Sequence, residues 1–188
     1  ITMDSKFTLA HIGSLLSERN PKVLWKVLKD LIIENETFKA DLNLVLVGLV
    51  SDTVLNSIKD YNLIDFTQLV SYVTHKEAIK KQHESQVLLL IEIDSEDTKC
   101  IIPGKLFEYM VSNRPIIAMG PEGSDVSRII NATNTGKYFN YSDYDTLKLI
   151  ILEYYKAFKN NNLQTYPIGL EQYSRKALTK SLSKLILD

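Results

Sequence analysis

Cysteine is almost missing: Cys100 is the only one in 188 residues, so no disulfide can form within the chain and a cysteine-built zinc centre has no basis. That points to a reducing, cytoplasmic setting. Charge of one sign is also missing. Twenty-two Lys and Arg face 23 Asp and Glu, a net charge of -1, and nucleic-acid binders as a class show a basic excess that is absent here. Long apolar runs are missing too. Leu44–Val50 and Val87–Ile91 are the longest, far short of the roughly 18–20 residues that cross a bilayer. The first ten residues carry Asp4 and Lys6 and no apolar core, unlike a secretory leader.

Several catalytic signatures are absent as well. There is no G-x-G-x-x-G, which argues against a dinucleotide oxidoreductase, and no G-x-x-x-x-G-K-[ST], which argues against a P-loop enzyme. No G-x-S-x-G marks a hydrolase elbow. His75-Lys76-Glu77 matches half of a zinc deaminase signature, but no P-C-x-x-C follows. His75 and His83 lack a third ligand, so no metal site is expected.

What is present is an alternation. Phe7–Ile12, Leu42–Val47, Phe66–Val73, Val87–Ile91, Pro115–Met119 and Gly136–Phe139 read as strands. Val87–Ile91 is an unbroken apolar run and Leu42–Val47 is interrupted only by Asn43, as in strands covered on both faces. Between them lie helical patterns. Pro21 suits a first helical turn and is followed by Val23, Leu24, Val27, Leu28, Leu31 and Ile32 at helical spacing. Asp52, Ser124 and Asp143 are expected helix caps, and Thr74 with Glu77 forms a capping box. Lys105 to about Ser112 follows Pro103 as another helix, and a last helix is expected from Leu170 to the end. Repeated βαβ units mean an α/β fold: a Rossmann-like, doubly wound, mostly parallel sheet of about six strands with helices on both faces. Ligands of such sheets sit at the carboxyl ends of the strands, so loops 13–20, 48–52, 72–75, 92–104 and 120–124 are the ones to watch.

The most informative stretch runs Ile101-Ile-Pro-Gly-Lys-Leu-Phe-Glu-Tyr-Met-Val-Ser-Asn-Arg-Pro-Ile-Ile-Ala-Met-Gly120. Phe107-Glu108-Tyr109-Met110-Val111 and Arg114-Pro115-Ile116-Ile117-Ala118 resemble the nucleotide-sugar signature of GT-B glycosyltransferases of the family-4, or group 1, type. His11-Ile-Gly13-Ser14-Leu-Leu-Ser-Glu-Arg19 is similar to the first strand and phosphate loop of their carboxyl-terminal domain. Val45-Leu-Val-Gly48 and Val70-Ser-Tyr72-Val73-Thr-His75 resemble the following strands and the loop beside the base. The match is collinear over about residues 7–140.

The resemblance implies one half of a GT-B fold, with residues 1–6 a linker remnant and 7–165 the nucleotide-sugar-binding domain. Residues 166–188 would cross towards an amino-terminal, acceptor-binding domain outside this sequence. It implies transfer of a sugar, with retention, from a UDP-, GDP- or ADP-sugar to a glycan or lipid-linked acceptor, without a metal or other cofactor. Gly13, Ser14, Arg19, Tyr72, Val73, Lys105, Leu106 and Glu108 are the expected nucleotide contacts, and Arg19 and Lys105 the catalytic cations. The residues support those roles. Lys105 and Glu108 are three apart and share a helix face, a helix amino terminus favours anions, and fixed cations stabilise a departing diphosphate. Glu108 could accept two ribose hydroxyls.

Two positions depart from the family pattern. Cys100 stands where E-x7-E would place its first glutamate, and Ser14 stands where many relatives carry arginine; Asp94, Glu96 or Asp97 could reach the sugar instead of that glutamate. These departures keep open a non-catalytic nucleotide-sugar-binding or scaffold domain, and a UDP-sugar epimerase-type domain shares the fold. Cys100 is expected to be a buried thiol and His11 a partly buried, hydrogen-bonded side chain. Lys176, Lys180 and Lys184 form a stripe at i, i+4 spacing, read as a solvated face, with peripheral attachment at the inner membrane surface as the other reading.

Overall fold

A computed structural model describes residues 2–187. Six strands pair in a single all-parallel sheet: β1 (Phe7–Ile12), β2 (Leu42–Val47), β3 (Thr67–Val70), β4 (Val87–Ile91), β5 (Ile116–Met119) and β6 (Gly136–Phe139). Their order is β3-β2-β1-β4-β5-β6. The chain winds outwards from β1 in one direction, returns, and winds outwards from β4 in the other. The crevice between β1 and β4 is the switch point where doubly wound sheets take their ligands.

Among the described residues there are eight α-helices: α1 (Lys22–Glu34), α2 (Glu36–Asp41), α3 (Asp52–Asp60), α4 (His75–Glu84), α5 (Lys105–Val111), α6 (Asp125–Thr133), α7 (Tyr144–Lys159) and α8 (Arg175–Leu187), the last largely exposed and packed against the turn at Leu170–Tyr173. Two cores result because side chains of a strand alternate between faces. Leu24, Leu28, Phe38, Ile58 and Ile151, from α1, α2, α3 and α7, pack with Phe7, Leu9 and Leu44. Leu106, Met110, Val126 and Ile130, from α5 and α6, pack with Ala10, Leu88 and Ile116 on the other face. Beyond β6, Leu170 and Tyr173 return to this second core, with the Tyr173 ring 5.8 Å from that of Phe107.

The structure corrects several local expectations. The third strand stops at Val70, three residues before Val73, because Ser71–Thr74 leave the sheet to enter α4. Asp52 is the first residue of α3 rather than its cap, which is Ser51. Asp143 precedes α7, but its carboxylate accepts the Asn140 N–H at 2.7 Å and makes no cap to the helix. The Glu36–Asp41 helix was not foreseen; Asn35 caps it by accepting from the Phe38 N–H. The last helix is broken at Ser174, between a short turn at Leu170–Tyr173 and α8. Cys100 is exposed, on the loop after β4 instead of in the core. His11 is buried completely, not partly. The Thr74–Glu77 capping box is formed as expected.

Candidate functional site

The loops after β1 and β2 run side by side at the carboxyl end of the sheet. Gly13 N–H donates to Val47 O and Leu15 N–H to Leu49 O, both at 2.8 Å. Gly48 makes the approach possible. Its φ is +109°, and a Cβ there would stand 3.0 Å from the Gly13 carbonyl carbon. The first loop is fixed further along by Asn20, which donates to Ser57 Oγ and accepts from Trp25 Nε1, each at 2.8 Å. Between these anchors, Ser17–Arg19 forms one tight turn that delivers Arg19 to the cleft.

Lys105, the first residue of α5, supplies the facing cation. Its Nζ lies 3.2 Å from His11 Nε2 and 3.3 Å from Ile12 O. His11 Nδ1 lies 3.1 Å from Leu89 O, so the network assigns the proton to Nδ1 and leaves Nε2 to accept from the ammonium. Burial, with the Lys105 charge adding to it, pushes His11 down to about 3 and keeps it neutral. Burial and the Arg19 charge push Lys105 down to about 8. Among the described residues no carboxylate lies within ion-pairing distance of Lys105 or Arg19. Two cations thus share a recess, and among the described residues neither is engaged in an ion pair.

That recess holds about 320 Å³ and is lined by Gly13, Ser14, Arg19, Lys105 and the chain after β4, including Glu92 and Thr98. Glu92 directly follows β4 and is only 6% exposed. Ser124 Oγ lies 3.1 Å from each of its carboxylate oxygens, and Tyr138 Oη donates to Oε2 at 2.8 Å. Tyr141 Oη donates to its backbone carbonyl at 2.8 Å. Gly120 leaves the room: a Cβ there would meet Tyr138 Oη at 2.5 Å and Glu92 Oε2 at 2.7 Å. Burial raises the Glu92 pKa, against the hydrogen bonds from Tyr138 and Ser124 that lower it.

A second recess of about 180 Å³ adjoins the first and shares Gly13 and Lys105 with it. Tyr72, Val73, Gln82 and Glu108 line it. Glu108 does not pair with Lys105. Its Oε1 meets His75 Nε2 at 3.1 Å and its Oε2 accepts from Gln82 Nε2 at 3.0 Å. Tyr72 is 75% exposed, with its hydroxyl 3.1 Å from Ser14 Oγ.

Comparison with solved structures places this architecture. Sucrose-phosphate synthase from Thermosynechococcus elongatus superposes with a TM-score of 0.65 at 14% identity, over 85% of this chain and 38% of that one. TarM from S. aureus gives 0.64 at 18% identity, over 96% of this chain and 36% of TarM. The pneumococcal O-GlcNAc transferase GtfA, solved with UDP and GlcNAc, gives 0.59 at 18% identity, over 100% of this chain and 38% of GtfA. The fold is one half of a GT-B glycosyltransferase. It fits the carboxyl-terminal half, and it spans under two fifths of each of these relatives. By sequence, residues 19–100 match a family described as a domain of unknown function, DUF2666. No curated protein matches the chain.

In this GT-B half, seven of the eight expected contacts line the paired recesses: Gly13, Ser14, Arg19 and Lys105 the first, and Gly13, Tyr72, Val73, Lys105 and Glu108 the second. Leu106 does not. Its side chain is buried in the core, and its N–H donates to Pro103 O at 2.9 Å. α5 has seven residues, so the full charge on Lys105 outweighs any helix dipole there. Glu92, Ser124 and Tyr138 were missed. A carboxylate directly after a buried parallel strand was the available signal, since that position faces the ligand crevice. The Ser124 and Tyr138 contacts span 32 and 46 residues and have no local signature. Among the described residues, no three His, Cys, Asp or Glu side chains cluster as metal ligands.

Proposed function

We propose that residues 7–165 are the donor-nucleotide-binding half of a retaining glycosyltransferase, with the acceptor-binding half outside these 188 residues. The observation that supports it is the pair of recesses meeting at Gly13 and Lys105. Arg19 and Lys105 stand ready for a diphosphate; Glu108 sits one turn further for ribose hydroxyls, with Tyr72 and Val73 beside a base. A carboxylate has about four acceptor sites, and His75 with Gln82 occupies two, so the ribose finds two free. A nucleoside diphosphate is also the leaving group of the transfer, and the cations that bind it stabilise the charge that develops on it. GtfA, of the same fold, is solved with UDP, which favours UDP as the first nucleotide to test. The acceptor is a glycan or a lipid-linked sugar. No helix among the described residues is long and apolar enough to cross a membrane.

Calorimetric titration with UDP, GDP and ADP tests this. Weak but saturable binding of one of them is the expected result; no heat and no amide shift at millimolar ligand would refute the reading. The chain by itself should transfer no sugar, because holding acceptor and donor together is worth about 7–11 kcal/mol of the barrier. Radiolabelled-sugar transfer by residues 1–188 at the rate of a two-domain protein would disprove the division of labour. A non-catalytic nucleotide-sugar-binding domain is the second reading, favoured by exposed Cys100 at the first position of E-x7-E. A longer protein that binds donor and never turns over would establish it.

A further inference from the structure

The first recess has a charge pattern that a diphosphate alone does not complete. Arg19, Lys105 and Glu92 line it together, and the Arg19 charge acts on the Glu92 carboxylate without pairing with it. Glu92 is not spent on an ion pair: no cation lies within pairing distance among the described residues, and its partners are the Ser124 and Tyr138 hydroxyls. Those two hydroxyls bring two protons to about four acceptor sites, so the carboxylate keeps free lone pairs beside the recess, chiefly on Oε1. A buried group with unfilled acceptor sites is a demand for donors. The ligand that satisfies the two cations and the carboxylate together is anionic in one part and rich in hydroxyl donors in another.

Resting on the reading of the site as a nucleoside-diphosphate site, we infer that Glu92 binds hydroxyls of the transferred sugar and thereby selects a nucleotide sugar over the bare nucleotide. Ser124 and Tyr138 hold the carboxylate in place, and Gly120 leaves the space it occupies. The same charge opposes a bare diphosphate, whose terminal oxygens would face a carboxylate without a hydroxylated group between them. Glu92 therefore acts in opposite directions on the two ligands. A merely structural Glu92, knitting β4 to β6 and the amino end of α6, would affect both ligands alike.

The test is titration of the chain and of Glu92→Gln with matched pairs: UDP and UDP-glucose, GDP and GDP-mannose, ADP and ADP-glucose. In the parent, the sugar should improve affinity over the matching nucleotide. In Glu92→Gln the nucleotide should bind equally or more tightly, while the nucleotide sugar weakens by about tenfold or more, as for lost charged hydrogen bonds. Equal changes for both ligands, or a sugar increment that survives the substitution, would overturn the inference and leave the nucleotide site standing. No binding of any ligand by the parent would overturn both. Should Glu92→Gln fail to fold, a crystal structure of the parent with the tighter nucleotide sugar decides: a sugar hydroxyl within hydrogen-bonding distance of Glu92 supports the role, and a sugar pointing away from it ends it.

Discussion

The two ends of the sheet both bury polar side chains, but they treat them differently. At the amino end, Asp4 Oδ2 accepts from Thr8 Oγ1 at 2.6 Å and from Asn43 Nδ2 at 3.1 Å. Asn43 also donates to Thr8 Oγ1 at 3.0 Å, and Gln86 donates to Asp4 O while accepting the Thr8 N–H. The donors just named all find acceptors within the set, and the one charge in it, Asp4, is partly exposed at its edge. At the carboxyl end, Lys105 and Arg19 have no carboxylate partner among the described residues and Glu92 has no cation. A closed network stabilises the fold that contains it. An open one costs stability in the free protein and gains it back when a ligand completes the set. The amino end is thus closed on itself, and the carboxyl end is the one left open for the ligand proposed above.

Breaking the open end should cost binding. Lys105→Met should weaken UDP, or whichever nucleotide binds, by about 10- to 100-fold, the range of a lost charged hydrogen bond. A titration showing unchanged affinity would remove Lys105 from the site. The same lysine gives a pH test. Its folded pKa is lowered to about 8, so below pH 8 the free protein already holds the proton that a diphosphate needs. Above pH 8 the proton must be taken up on binding, and affinity should fall by up to about tenfold per pH unit. A profile flat from pH 7 to 9.5 contradicts this. Glu108→Gln comes next, with a loss of about tenfold for nucleotides and no change in thermal unfolding beyond a degree or two, because Gln82 is an uncharged amide and His75 is exposed.

Breaking the closed end should cost stability instead. Asn43→Ala leaves Asp4 and Thr8 short of a donor, a loss of about 1–3 kcal/mol, and each kcal/mol lowers Tm by about 2–4 °C in a domain of this size. Nucleotide affinity should not move. A binding loss in Asn43→Ala would erase the distinction between the two ends.

How much of this was legible depended on range. Val87–Ile91 and Leu42–Val47 were readable as strands because a strand covered on both faces is apolar at nearly every position, Asn43 being the one exception in the two. Thr74 and Glu77 were readable as a capping box because both partners lie within one turn. Asp143 misled because a short acidic side chain can serve the loop before a helix as well as the helix itself. Cys100 misled because the usual burial of free cysteine is a tendency of composition, which the loop after β4 does not follow. The segments that bring Arg19, Lys105 and Glu108 to the paired recesses were legible through their motifs, and the arrival of Glu92 there was not.

The sequence by itself determined the alternation of strands and helices, hence a doubly wound parallel sheet, and it located the segments that form one end of it. Those features follow from hydrophobic period and local caps, which act over a few residues. Only the tertiary structure decided that Lys105 turns to His11 and Ile12 O, 94 and 93 residues away, instead of to Glu108. It also decided that Glu92 joins the same recess and that Leu106 leaves it. Each of those outcomes depends on which groups burial brings together and which it leaves without a partner, and local pattern carries no record of either.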